Sequence, residues 1–236
     1  MKGDVEKWVL EELDRQGEFD ILVSEKNKFI LNFIDGEKVL DVGCGTGHLI
    51  AEIAKRKKVV GTDIHDSIIK VAKKRNPGIK IIKDSIENTK INEKFDTVVC
   101  SEVIEHIEDD VEALRNMKKC LVKGGRLILT VPAHSWLFGA HDERLGHRRR
   151  YSKRDLRKKL TEVGFDVEKI RYWNFISLFP AFLYARVLKK VPPYSSVMEF
   201  MGRKGGLLPA LMSIDNKISR FCGVTLFALV RNKRGN

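Results

Sequence analysis

Between residues 37 and 132 the chain alternates short apolar runs with amphipathic segments, and this rhythm restricts the fold more than any other feature. KVLDVG, VVGTD, IKIIK, FDTVVCS and RLILTVP are apolar at successive positions, so both faces of each strand must be covered, as in a parallel sheet packed by helices. Between them HLIAEIAKR, DSIIKVAKKR and DDVEALRNMKKCL repeat apolar residues every three or four positions, which lays one stripe of each helix on that sheet. Such a series predicts a doubly wound α/β core. Ahead of it, Ile30, Leu31, Phe33 and Ile34 form an apolar stripe on a helical segment that ends at the Asp35-Gly36 turn. Beyond it, Ser152 with Asp155 three positions on signals a helix start, with Leu156, Leu160 and Val163 as its buried stripe. VEKIRYW and VTLFALVRNK read as two final strands.

The expected architecture is one domain over residues 1–236: a doubly wound, mostly parallel seven-stranded sheet with helices on both faces. Its parts are a helical extension (1–36), a ligand-binding core (37–132) and a loop, helix and strand (133–174). An apolar helical insertion or lid (175–220), broken by Pro192-Pro193 and Gly205-Gly206, precedes the last strand and tail (221–236). Length fits a single elaborated domain. With 43% hydrophobic and 32% charged residues, the chain is neither disordered nor collagen-like.

Cys44, Cys100, Cys120 and Cys222 contain no C-x-x-C pair and lie mostly in apolar runs, so reduced, buried thiols are expected and no metal site is assigned. MKGDVEKWVLEELDRQ lacks the apolar core of a secretory signal, and the expected setting is cytoplasmic. The uncharged stretch Tyr172 to Ala185, 14 residues, is shorter than the roughly 20 needed to span a bilayer. Gln16 is the sole glutamine amid abundant Lys and Glu, a bias that suggests a thermophilic source.

The strand KVLDV runs directly into Gly43-Cys44-Gly45-Thr46-Gly47 and then a helix. Glycines at such a turn let backbone N–H groups approach a ligand, with a helix N-terminus behind them that favours negative charge. The spacing is G-x-G-x-G preceded by Asp41, which differs from the dinucleotide pattern G-x-G-x-x-G. Asp63 ends the second strand sixteen residues past Gly47, where a carboxylate can accept both ribose hydroxyls. Together these features describe a nucleoside site.

At these residues the sequence resembles the class I S-adenosylmethionine-dependent methyltransferases, over roughly 37–132 and the last strand pair. VLDVGCGTGHL is similar to the family's first motif, and Asp63 to its acid after strand two. Lys83-Asp84-Ser85-Ile86 falls where the family contacts adenine, and FDTVVCSEVIEHI resembles its fourth motif. Glu105-His106 is similar to the quinone-biosynthesis O-methyltransferases. The resemblance implies a Rossmann-like fold, S-adenosyl-L-methionine as methyl donor, S-adenosyl-L-homocysteine as product, and a donor site of Asp41, Gly43, Cys44, Gly45, Gly47, Asp63, Ile64, Asp84, Ser85, Ile86 and Ser101.

Acceptor-side candidates cluster after strand five, at the sheet's carboxyl edge where open α/β folds bind ligands. His134, Trp136, His147, Arg148, Arg149, Arg150 and Tyr151 are candidate substrate contacts, the arginines for a phosphate or carboxylate. His141 is the first candidate for the base that an O–H acceptor needs, with Asp142 beside it. His106 is the second, on a helix predicted to begin near Glu102, where it either faces the site or packs on Glu102. The net charge of +12 suggests an anionic partner. Lys153, Arg154, Arg157 and Lys158, however, fall at helical spacing opposite the apolar stripe and read as a solvated face.

In the insertion, Phe179, Phe182, Leu183, Leu207, Leu211 and Met212 offer a greasy lid over a lipid or isoprenoid-linked acceptor, a peripheral membrane contact near Lys189 and Lys190, or ordinary core. The first functional reading is therefore methyl transfer to an oxygen of a small-molecule or lipid acceptor. An RNA methyltransferase ranks second, since the fourth strand lacks an Asp/Asn-Pro-Pro-aromatic tetrad, and a non-catalytic donor-binding protein third.

Overall fold

The computed structural model of the protein describes residues 21–190, 215 and 219–233. The N-terminal charged segment, the double proline and double glycine, and Leu207, Leu211 and Met212 lie outside these residues.

Among the described residues seven strands form one sheet in the order β3-β2-β1-β4-β5-β7-β6. They are β1 (Lys38–Val42), β2 (Lys58–Asp63), β3 (Lys80–Lys83), β4 (Phe95–Ser101), β5 (Leu121–Pro132), β6 (Phe165–Trp173) and β7 (Thr225–Asn232). β7 pairs antiparallel with both β5 and β6, while β3, β2, β1, β4 and β5 pair in parallel. The helices are α1 (Ile21–Leu31), α2 (His48–Ala54), α3 (Asp66–Arg75), α4 (Asp110–Cys120), α5 (Ala140–Leu145), α6 (Lys153–Glu162) and α7 (Leu178–Phe182), the last continuing as a π-helical turn over Leu183–Leu188.

Successive strand side chains enter opposite cores, as the period of two requires. Leu40, Val98, Cys100, Leu127, Leu129, Ala228 and Val230 pack on one face with Leu114, Met117, Leu156 and Leu160 of α4 and α6. Val39, Val99, Ile128, Phe227 and Leu229 pack on the other with Ile30, Leu49 and Ile53 of α1 and α2. Phe29 and Phe33 close that side, their rings 4.8 and 5.0 Å from Phe227. The five strands expected between 37 and 132 form, as do the helices expected within HLIAEIAKR, DSIIKVAKKR and DDVEALRNMKKCL, because each carries its own apolar period.

Ser152 caps α6 by accepting from the Asp155 N–H at 3.1 Å. Arg154, Arg157 and Lys158 are exposed on that helix as expected, whereas the Lys153 ammonium lies 4.6 Å over the Tyr172 ring. One expectation fails: residues 102–109 form a turn segment and α4 starts only at Asp110, where Asp109 caps it. The backbone at Glu102 takes φ 55°, a left-handed conformation incompatible with a helix starting there.

The insertion differs from ordinary core in its described part. No residue of α7 is buried, and Phe179 is 72% exposed. Phe182, Val187 and Leu188 are also exposed. The segment still has anchors. Arg186 Nε donates to the Trp136 carbonyl, the Asp215 carboxylate accepts from the Ile176 N–H at 2.7 Å, and Gly139 packs closely on Ala185. Among the described residues no helix is long and apolar enough to cross a membrane.

Candidate active site

The glycine loop leaves β1 at the carboxyl edge of the sheet. Gly43 has φ 68°, and a Cβ there would sit 2.4 Å from Val103 Cγ2, so this glycine lets the loop press against the segment after β4. Gly45, at φ 54°, has nothing within 4 Å of a built Cβ and borders open space. Its N–H donates to Asp63 Oδ2 at 3.2 Å, while the His65 N–H donates to Oδ1 at 3.0 Å. Both Asp63 oxygens are thus held by main chain, each with lone-pair capacity left for a hydroxyl. Gly47 caps α2 in a left-handed conformation. Ile64, beside Asp63, is 53% exposed and offers a flat apolar surface next to the carboxylate.

Asp41 is 2% exposed and its Oδ2 has no hydrogen-bond partner. Burial, and then the charge of Asp63, raise its pKa to about 7. A buried carboxylate beside a second one calls for a cationic or hydrogen-bonding ligand, and the sulfonium and ammonium groups of S-adenosylmethionine meet that requirement. The open cradle at Gly45, the preset Asp63 and the unpartnered Oδ2 of Asp41 therefore fit this donor.

Several expected donor contacts are otherwise engaged. Cys44 packs in the core against Ile50 and Ile69, which leaves its main chain as the part able to meet a ligand. Asp84 accepts from Thr89 Oγ1 at 2.5 Å and the Lys90 N–H at 3.1 Å, so its carboxylate shapes its own loop. Ser85 precedes the short turn Ile86–Asn88 without a capping bond from its side chain, and Ile86 is 5% exposed in the core. The Ser101 hydroxyl pairs with Thr130 Oγ1 at 2.9 Å.

Residues predicted for the acceptor side are rearranged more deeply. Asp142, 1% exposed, does not serve His141. Its Oδ1 accepts from His147 Nδ1 at 2.8 Å and Arg150 Nε at 2.8 Å, and its Oδ2 from the Gly139 N–H at 3.1 Å. Burial acts to raise the Asp142 pKa, but the His147 hydrogen bond and the Arg150 charge outweigh it and hold the carboxyl below its usual range. With Asp142 ionised, His147 Nδ1 is the donor of this bond, and Nε2 is turned toward Glu105.

Nor do the three arginines point at an open anion site. Arg148 bonds the His106 carbonyl and pairs with Glu108, Arg149 pairs with Asp110, and Arg150 with Asp142. Tyr151 is 2% exposed and donates to Asp110 Oδ2 at 2.8 Å, so it is a core residue and not a substrate contact. Lys159 reaches Asp110 at 2.7 Å and completes this charged bundle. His134 stacks on Tyr172 at 5.0 Å, and half-exposed Trp136 faces the Phe182 ring at 6.2 Å, which joins the acceptor loop to the apolar insertion.

His106 is brought together with His147, the rings meeting edge to face at 4.8 Å. Its Nδ1 lies 3.3 Å from the Gly146 carbonyl. Burial, then the neighbouring His147, lower its pKa to about 4, which makes it neutral at pH 7. Glu105, fully buried, completes the group: its Oε1 lies 3.9 Å from His147 Nε2. Glu105 enters the sequence reading only as the neighbour of His106. The repeated acid in Glu102-x-x-Glu105-His106 is the signal that marks it.

The sheet order with one antiparallel strand, the glycine loop after β1 and the acid after β2 define the class I S-adenosylmethionine-dependent methyltransferases. The chain belongs to the methyltransferase domain family, whose sequence profile matches residues 34–172. It is 32% identical over 114 residues to the mitochondrial ubiquinone biosynthesis O-methyltransferase of Schizosaccharomyces pombe, 45% of this chain and 42% of that one. It is 35% identical over 103 residues to the ubiquinone biosynthesis O-methyltransferase of Coxiella burnetii, 41% of this chain and 44% of that one. The chain thus spans about half the length of the curated relatives it matches. An S-adenosylmethionine-dependent methyltransferase from Archaeoglobus fulgidus shares the fold, with a TM-score of 0.64 at 16% identity over 95% of this chain and 99% of that one.

Proposed function

We propose that the protein transfers a methyl group from S-adenosylmethionine to an oxygen of a small, lipid-like acceptor. The donor, when bound, supplies an electrophilic methyl group on a sulfonium. Asp63 and the Gly45 backbone hold its nucleoside, Ile64 lies against its base, and Asp41 answers its positive charge. The chain's remaining tasks are to align the acceptor, exclude water and remove a proton from an O–H group.

The observation that carries the oxygen reading is the Asp142–His147 pair, with His147 Nε2 turned toward Glu105 and His106 next to the glycine loop. Proximity follows from Val103, which lies against Gly43 and precedes Glu105 by two residues. A thioether acceptor, which has no proton to lose, needs no such buried, oriented imidazole. The match to ubiquinone O-methyltransferases supports a lipid-like acceptor. So do the exposed Phe179, Phe182, Val187 and Leu188 beside Trp136, a surface suited to an isoprenoid tail or a bilayer edge. An RNA substrate loses its main support, because the arginine trio is paired with Glu108, Asp110 and Asp142.

Labelled methyl groups transferred into cell extract are expected in the lipid fraction; label in RNA or protein instead overturns the acceptor class. Within that assay His147→Ala is expected to lose about 100-fold or more in turnover with donor-product binding retained, and His141→Ala to stay within a few-fold of the parent. The reverse pattern returns the role to His141.

A further inference from the structure

We propose that the amino edge of the sheet carries a second binding site, separate from the donor site, for a soluble organic molecule bearing two or more phosphate groups, of the nucleoside di- or triphosphate class. A cleft of about 670 Å³ opens where the end of α4 meets the start of β5, with Leu121, Val122 and Val163 as its apolar floor. Five cations stand around that floor: Lys94, Arg115, Lys118, Lys119 and Lys123. Among the described residues no carboxylate lines it. A volume of this order suits a small molecule. Cations above an apolar floor call for one that joins an anionic part to an apolar part.

The chain does not answer this charge itself. Among the described residues Glu112 is the one acid paired with any of the five, at 3.0 Å from Arg115 and 3.6 Å from Lys119. Both pairs are exposed, so they are weak and yield readily to a ligand. Lys118 Nζ donates to the Val163 and Gly164 carbonyls at 2.8 and 3.0 Å, and the Lys94 ammonium to the Lys119 carbonyl. Such bonds fix an ammonium but leave its charge in place. Gly164 makes room for this: a Cβ there would stand 2.7 Å from Lys118 Nζ. Lys123 has no hydrogen-bond or ion-pair partner among the described residues. The C-terminal end of α4 accounts for part of the clustering, since Lys118 and Lys119 occupy its last turn, where the helix presents about half a negative charge. Set against that half charge and Glu112, the five cations leave an excess on the order of three positive charges, which a ligand with several phosphates cancels. Cations already held in place lose little freedom on binding it.

Position separates this site from methyl transfer. Lys94 directly precedes β4 and Lys123 lies near the start of β5, so the cleft is at the opposite end of the parallel strands from Gly45 and Asp63. β4 spans seven residues, roughly 20 Å at the rise of a strand. S-adenosylmethionine carries no phosphate and has no use for five cations. A bilayer that meets the exposed Phe179 and Phe182 lies beyond the far end of β6, at the carboxyl edge, and does not reach the cleft. A nucleic-acid strand is tracked by an extended basic groove, whereas these cations converge on one small concavity.

Calorimetry with ATP on the full chain tests the site, with S-adenosylhomocysteine saturating so that a nucleotide entering the donor site through its adenosine is not counted. One ATP per chain is expected, bound more weakly as salt rises. Inorganic triphosphate should bind about 5-fold or more weakly than ATP, because it has no body to lie on Leu121 and Val122. Arg115→Ala and Lys123→Ala, both at exposed positions, should each weaken ATP binding by about 10-fold, and the Arg115→Glu/Lys123→Glu double variant should abolish it. Unchanged S-adenosylhomocysteine affinity in each variant reports a folded chain with an intact donor site. Absence of saturable ATP binding to the parent at millimolar concentration overturns the proposal, and so does undiminished binding to the folded double variant. Triphosphate bound as tightly as ATP overturns the organic class of ligand. Binding of anionic vesicles or of a single-stranded RNA oligomer that the double variant loses, with no ATP bound by the parent, makes the cleft part of a macromolecular surface and overturns it as well.

Discussion

The glycine loop and the histidine cluster sit side by side along one edge of the sheet, yet they are built from different materials. Around Gly45 the positioning is done by main chain: two N–H groups clamp Asp63, and the glycines set the path. Around His147 it is done by side chains from separate segments, with Asp142, Arg150, Glu105 and His106 each placed by another's charge or hydrogen bond. Main-chain geometry is fixed once strand and helix form. A side-chain cluster depends on every member, so removing one exposes the rest to unpaired burial.

That contrast is open to attack. Asp110 is 2% exposed and accepts from Tyr151, Lys159 and Arg149, so it ties α4 to the segment that carries His147. Asp110→Ala is expected to cost about 3 to 5 kcal/mol in urea unfolding. The molecules that remain folded should bind S-adenosylhomocysteine with unchanged affinity. An equal loss of affinity would show that the two regions are one unit.

Asp41 gives the next largest effect. Its folded pKa of about 7 lies above the ordinary carboxylate value of 3.8, so the folded form holds the proton more tightly than the unfolded chain. Ligand-free stability should therefore fall as pH rises from about 4 to about 7, by roughly 2 to 4 kcal/mol. Asp41→Asn should flatten this slope in thermal unfolding at stepped pH. A slope that persists in the variant places its origin outside the glycine loop.

Asp63→Ala should reduce donor-product affinity by about 150-fold or more in calorimetry, the equivalent of two hydrogen bonds to a charged group. Turnover lost without lost affinity would move Asp63 out of the donor site. The smallest effect lies far from both regions, at Glu93. Lys38 and Lys80 hydrogen-bond this exposed carboxylate and lower its pKa from 4.5 to about 2. Its contribution is present above pH 4.5 and fades as pH falls toward 2. Parent and Glu93→Gln should thus differ slightly at neutral pH and converge in acid, and a difference that grows in acid contradicts the pairing.

The same contrast explains what could be read in the sequence. Strands and helices between 37 and 132 announce themselves by local period, and the glycine turn by contiguous residues. The cluster could not be read that way. Asp142 stands next to His141 in the chain but bonds His147 five residues on, because one turn of helix followed by a left-handed Gly146 swings the later ring back over the carboxylate. Arg148, Arg149 and Arg150 look like an anion site only while their partners Glu108, Asp110 and Asp142 are distant in sequence. The helix expected from Glu102 fails because that residue turns left-handed to bring Glu105 under the histidines.

The lone antiparallel strand also has a consequence for how the molecule is made. β7 lies inside the sheet between β5 and β6, although it is the last of the described strands in sequence. Until it emerges, β5 keeps a bare edge and β6 has no partner at all. At ribosomal rates of about 5 to 20 residues per second, the roughly 50 residues between β6 and β7 leave that edge uncovered for several seconds. During that interval the nascent chain carries an open apolar slot, Leu127, Leu129 and Val131 among its walls, shaped to accept one late strand and vulnerable to any other.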